Sequence, residues 1–152
     1  MKVLVTLSVL LNVFLIYFFV FKGATAPTNN QDKRVTIEMP QGHTDFTLAE
    51  MRGFLESVQQ INEGILDNNP KKIAAAGKKS GGSVIAHAPQ GFLKRLPIAF
   101  KQLGFSTHDI FDEIAGSAEH NFNPKTSQKQ LHKLLNNCIA CHQGYRIRVI
   151  GE

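Results

Sequence analysis

Cysteine is scarce in this 152-residue chain, which contains only Cys138 and Cys141. A structural zinc site takes about four protein ligands and usually more cysteines than this. A disulfide between residues three apart closes a very small loop and adds little stability. A thioredoxin-like redox pair stands at the start of a helix that follows a strand, whereas this pair lies late in a helical pattern. These three alternatives stay open, but the scarcity and position of the cysteines favour another use.

Catalytic signatures and strong charge are also lacking. The sequence has no nucleophile elbow, phosphate-binding loop or paired-carboxylate motif, so we expect a protein that is not an enzyme. The net charge is +5, and Lys2 and Lys22 of an acid-free N-terminal segment account for two of these charges. The remaining 15 basic and 12 acidic residues leave a net charge of +3. This balance is too weak to indicate nucleic-acid binding and permits a mildly acidic protein partner.

The two cysteines form the pattern Cys-x-x-Cys-His with His142. This pattern is the attachment signal for a c-type haem. Two thiols three residues apart on a helical turn can reach both vinyl groups along one haem edge. The histidine that follows can then present its imidazole to the iron as the proximal ligand. The pattern therefore predicts one covalently bound haem, attached at Cys138 and Cys141 and ligated by His142.

The N-terminal segment predicts export. Residues 3–21 form an uncharged, mostly apolar run of about 19 residues, which is near the length that crosses a bilayer as a helix. Residues 24–26 have the small-x-small pattern of a signal-peptide cleavage site, but Pro27 would stand directly after the cut and hinder it. Residues 1–26 are thus either a cleaved signal peptide or a membrane anchor. Both place the rest of the chain outside the cytoplasm, where c-type haem is attached in bacteria.

The remaining sequence predicts an all-α domain over residues 47–152, preceded by a linker over residues 27–46. Residues 35–39 alternate like a strand, but no partner is evident and the strand is discounted. Thr47 and Glu50 form a capping box that opens the first helix. An apolar stripe with helical spacing follows: Leu48, Met51, Leu55, Val58, Ile61 and Ile65. This stripe predicts one buried face along the first helix.

Three further main helices are predicted after the first. Asn69-Pro70 and Asn123-Pro124 each place a capping residue before a proline of the first turn, so they open the second and fourth helices. A short helix from Leu96 is expected to stop at Gly104, and Ser106 or Thr107 then caps the third main helix. Four amphipathic helices with short links predict an antiparallel four-helix bundle around one covalently bound haem.

A haem motif at the C-terminal end of four helices, continued as Cys-His-Gln-Gly-Tyr-Arg through Arg146, resembles the cytochrome c′ family. This family is the class II group of c-type cytochromes, which includes a low-spin, cytochrome c556-like branch. The resemblance covers residues 47–149. It implies a bundle with a single haem and His142 as the proximal ligand. It also implies that Arg146, one turn later, lies near the proximal pocket or a haem propionate, and a solvated surface arginine is the alternative.

The family divides at the sixth iron position, which the first helix supplies. Members with methionine there transfer electrons, and five-coordinate members with an apolar residue there bind small gases. Met51 lies on the predicted core stripe and is the candidate sixth ligand, although a packing role alone is the alternative. The family often has a basic residue one turn earlier, where this chain has Thr47. Any histidine outside the motif could be a distal iron ligand in principle, but none lies on the predicted stripe of the first helix. They are therefore expected at the surface or satisfied in the fold: His43, His87, His108, His120 and His132.

The resemblance therefore implies a monohaem electron carrier in the periplasm, either soluble or anchored to the inner membrane by the N-terminal helix. The alternative is a five-coordinate haem protein that binds nitric oxide or carbon monoxide, and a weak peroxidase with an open iron site is a third option. The expected partners are redox proteins, haem and, through the N-terminal helix, the membrane. A homodimer stays open.

Overall fold

A computed structural model describes residues 2–17 and 32–151. The chain divides into two compact units, residues 1–33 and residues 34–152. In the first unit, Lys2–Ile16 forms helix α1, whose side chains are exposed along its length. No helix within the described ranges is both long enough and apolar enough to cross a bilayer. The end of the predicted apolar run and the predicted cleavage site before Pro27 lie outside the described residues.

The second unit opens with a small parallel sheet, which joins strand β1 (Val35–Pro40) to strand β2 (Tyr145–Ile150). Ile37 pairs with Ile147 and is buried. Discounting the first strand was wrong, because its partner lies 110 residues later in the sequence. The partner strand also alternates apolar and polar side chains over most of its length, although no strand was predicted there. The fold is thus mostly helical with a two-stranded sheet, rather than all-α.

Helix α2 spans Gln41–Leu66 and begins directly after β1. It starts six residues before the predicted capping box, so Thr47 does not cap the helix. The Thr47 hydroxyl instead donates to the carbonyl of His43, 2.8 Å away and one turn earlier. Pro40 occupies the N-cap position in an extended conformation and makes no side-chain cap bond. Residues 35–46 of the predicted linker therefore lie in β1 and the first turns of α2.

The predicted cap-then-proline signals are confirmed at two helices. Helix α3 (Pro70–Ser80) has Asn69 as its cap, and the Asn69 side chain accepts a hydrogen bond from the Lys72 amide at 3.1 Å. A 3-10 helix (Gly82–His87) and helix α4 (Phe92–Arg95) follow. Helix α6 (Pro124–Gly144) has Asn123 as its cap, which accepts from the Thr126 amide at 3.0 Å.

Helix α5 is a single helix over Ile98–His120, so the predicted stop at Gly104 is wrong. Neither candidate cap opens a new helix there. The Thr107 hydroxyl donates to the carbonyl of Leu103 at 2.8 Å, as an interior threonine does. Glycine at position 104 destabilises the helix interior by only about 1 kcal/mol relative to alanine. That cost does not break α5, whose later turns bury an apolar face around Ile110 and Ile114.

Helices α2, α3, α5 and α6 share one hydrophobic core. Its fully buried members include Ile61, Ile73, Phe111, Ile114 and Leu134, at least one from each helix. A second apolar cluster joins the sheet to the segment around α4. The space between these two clusters contains the candidate site.

Candidate functional site

The last turns of α6 carry Cys138, Cys141 and His142 on the wall of a cavity of about 410 Å³. Both cysteines are half-buried and His142 is exposed. Residues three and four apart on a helix lie on one face, which is why the two thiols reach the same cavity. The rest of the wall is mainly apolar and includes five phenylalanine side chains from α2, α4 and α5. The volume falls in the range typical of pockets for small molecules and cofactors.

Met51 lies on the same cavity wall as the cysteines and His142. It is partly buried in α2 and also lines an adjoining cavity of about 370 Å³, together with Cys141 and His142. Met39 differs, because it is fully buried in β1, where its sulfur lies 3.7 Å from the Thr47 hydroxyl. Of these two methionines, only Met51 lines the cavities. Two leucines of the predicted core stripe are exposed: Leu55 lines the first cavity and Leu48 lines the second. The prediction that this stripe of α2 is buried is therefore only partly correct.

The thiols are in an environment that favours the protonated form. Burial raises the pKa of Cys138, and burial followed by the neighbouring Cys138 raises the pKa of Cys141. Redox-active cysteine pairs have lowered pKa values, which the start of a helix helps to provide. This pair lies at the opposite end of α6, where the helix dipole disfavours a negative charge. These surroundings argue against the thioredoxin-like alternative.

Two arginines line the second cavity beside His142. Arg146 lies in β2, because α6 ends at Gly144, and not one helical turn beyond His142 as the family resemblance implied. Its Nε donates to the Thr36 hydroxyl at 2.8 Å. The Arg34 guanidinium donates to the carbonyl oxygens of His142 at 3.2 Å and Tyr145 at 3.4 Å. Arg34 therefore fixes the end of the helix that carries His142.

Sequence reasoning missed Arg34, because its partners lie 108 and 111 residues away in the chain. No local pattern marks such a contact. The strand alternation of residues 35–39 was the available signal, since pairing that strand with residues 145–150 brings the segment before it to the end of α6.

One histidine outside the motif lies in the site, where a backbone carbonyl satisfies one of its ring nitrogens. His108 of α5 is half-buried and lines the first cavity, with Nδ1 at 2.8 Å from the carbonyl oxygen of Ser80. His87, His120 and His132 are exposed, as expected. His43 packs edge-on against the Phe92 ring, and its buried Nδ1 has no hydrogen-bond partner among the described residues.

Within residues 2–17 and 32–151, no group of three or more histidine, cysteine, aspartate and glutamate side chains is placed to hold a metal ion. The chain matches no protein-family model, no curated protein and no solved structure.

Proposed function

We propose that this protein is a monohaem c-type cytochrome of the cytochrome c′ type, with an antiparallel four-helix bundle that carries electrons in the periplasm. One observation carries the proposal: Cys138, Cys141, His142 and Met51 line a single apolar cavity. Three of these residues form the attachment motif, and the fourth comes from a helix that is distant in sequence.

The residues present fit a haem. The two half-buried thiols are three residues apart on one helix face and border a cavity of about 410 Å³. The apolar wall suits a flat aromatic ring, and the Arg34 and Arg146 side chains of the adjoining cavity suit its carboxylates. This arrangement places two arginines beside an apolar chamber, as the charged and apolar ends of such a ring require.

Each residue then has a definite task. A bound haem supplies an iron that changes oxidation state by one electron. Cys138 and Cys141 would hold the ring by thioether bonds, and His142 would donate a nitrogen lone pair to the iron. Met51 would donate a thioether sulfur, a soft ligand that favours ferrous iron and raises the reduction potential. The phenylalanine-rich wall excludes water.

Export follows from the same proposal, because the haem is attached outside the cytoplasm. The apolar helix α1 is the export signal or the anchor that leaves the domain in the periplasm. Cell fractionation with sequencing of the mature N-terminus tests this assignment. An uncleaved, folded and haem-free protein found in the cytoplasm would refute the export assignment.

Electronic absorption spectra of the purified protein test the electron-carrier function. We expect low-spin iron in both oxidation states, a weak far-red sulfur-to-iron charge-transfer band when oxidised, and poor binding of carbon monoxide when reduced. Met51→Leu keeps an apolar side chain of similar volume and should abolish the far-red band. A wild-type protein with high-spin iron that binds carbon monoxide freely would instead identify a five-coordinate gas-binding protein.

A further inference from the structure

His108 is held in one orientation on the cavity wall. A carbonyl oxygen only accepts hydrogen bonds, so the 2.8 Å contact with Ser80 places the imidazole proton on Nδ1. Ser80 is itself buried, and its hydroxyl lies 2.8 Å from the buried Ser57 hydroxyl. The Phe54 ring packs edge-on against the imidazole with a centroid distance of 5.1 Å. These contacts fix both the ring and its tautomer.

The second nitrogen of His108 is chemically free. In the neutral imidazole with a proton on Nδ1, Nε2 carries a lone pair. Among the described residues, no hydrogen bond reaches this nitrogen. Histidines that ligate metals almost always donate their other ring N–H to a carbonyl, a carboxylate or water, which orients the ring and makes the ligating nitrogen more basic. His108 has this arrangement and lines the same cavity as Met51 and His142.

We propose that His108 is a second distal ligand, whose Nε2 binds the haem iron when the Met51 sulfur does not. The inference rests on the proposed haem. In the exchange the iron–sulfur bond breaks and an iron–nitrogen bond forms. No electron is transferred, and the neutral imidazole with its proton on Nδ1 releases no proton when Nε2 binds. His108 thereby keeps the iron low-spin and closed to gases, and lowers the potential relative to thioether ligation.

Lys101 is the competing nitrogen on the cavity wall. A lysine ammonium has three donors and no lone pair, so it must lose a proton before it can ligate iron. In the neutral imidazole with its proton on Nδ1, Nε2 of His108 already carries a lone pair. Glu50 is the remaining charged side chain of this wall, and its oxygen is a harder ligand than either nitrogen. The chemistry therefore favours His108.

Spin state and carbon monoxide binding of four purified haem-loaded variants test the proposal. Met51→Ala should lose the far-red sulfur band yet keep low-spin iron with two nitrogen ligands, visible by electron paramagnetic resonance. Met51→Ala combined with His108→Leu should convert to high-spin iron and bind carbon monoxide readily. Met51→Ala combined with Lys101→Gln is the matched control and should stay low-spin. His108→Leu alone should keep the far-red band, which shows that the site still folds.

High-spin iron in Met51→Ala would overturn the role of His108, and so would low-spin iron in the variant that also lacks His108. Either result can be distinguished from a failure of the proposed haem-binding function. That failure is seen in the wild type, as a protein without covalent haem or without the sulfur band.

Discussion

Gly77 of α3 packs closely against α5, and its replacement by alanine has a calculable cost. A Cβ at this position would lie 2.7 Å from the Phe111 carbonyl oxygen, 3.0 Å from the Ala115 Cβ and 3.1 Å from the Ala115 amide. These are backbone and Cβ atoms of α5, so rotation of a side chain cannot move them out of contact. Gly77→Ala must move α3 and α5 apart.

Overpacking of a well-packed core costs about 1–3 kcal/mol. Alanine also stabilises a helix interior by about 1 kcal/mol relative to glycine, which offsets part of this cost. Gly77→Ala should therefore lower the free energy of unfolding by about 1 kcal/mol, with about 2 kcal/mol as the upper end. Gly116 of α5 is the matched control, because a Cβ added there would have nothing within 4 Å. Gly116→Ala should raise the free energy of unfolding by up to about 1 kcal/mol.

Urea unfolding followed by far-ultraviolet circular dichroism measures both variants against the wild type. The two substitutions should change stability in opposite directions with similar slopes. Equal stabilisation by both would refute the close packing of α3 on α5, and with it the placement of Ser80 beside His108.

Two further predictions concern the helix ends and acid stability. Asn123→Ala removes the side-chain cap of α6 and should lower the free energy of unfolding by about 1 kcal/mol. The control is Asn136→Ala on the exposed face of the same helix, which should change the free energy of unfolding by less than about 0.5 kcal/mol. Equal effects of the two substitutions would contradict the cap. The hydrogen bond from Lys133 holds the pKa of Glu113 below its ordinary value of 4.5. A lowered pKa stabilises the fold above pH 4.5 and loses that effect as the pH falls through the lowered value. Thermal melts should therefore show a smaller acid-induced loss in Lys133→Gln than in the wild type, and an unchanged loss would refute the contribution of this pair.

Local signals predicted the helices well where the partner groups are close in sequence. Asn69 and Asn123 cap amides three residues later, so a short window contains the whole interaction. The spacing of Cys138, Cys141 and His142 likewise predicts a shared helix face, and all three line one cavity.

The errors arose where distant residues decide the structure. The alternation of residues 35–39 was visible, but the strand that stabilises it is residues 145–150, far along the chain. Thr47 has the composition of a cap, yet the sheet that precedes it brings the helix start forward to Gln41. Gly104 is a helix breaker by propensity alone, and the tertiary burial of the later turns of α5, around Ile110 and Ile114, overrides it.

The site could be predicted only as far as its motif. Met51 was named from the resemblance to a known family, whereas His108 had no sequence signal of its own. Its setting depends on Ser80 of α3 and Phe54 of α2, which lie 28 and 54 residues before it in the chain. Contacts of this kind follow from helix packing and not from periodicity.

Haem staining of the denatured protein tests the central claim most directly. The full chain is expressed in a host that attaches c-type haem, denatured, separated on a gel and stained for haem peroxidase activity. The stain should coincide with the protein band and should be lost in the Cys138→Ala/Cys141→Ala variant made alongside it. A wild-type band that loses its stain on denaturation would contradict the covalent attachment from which the proposed function is built.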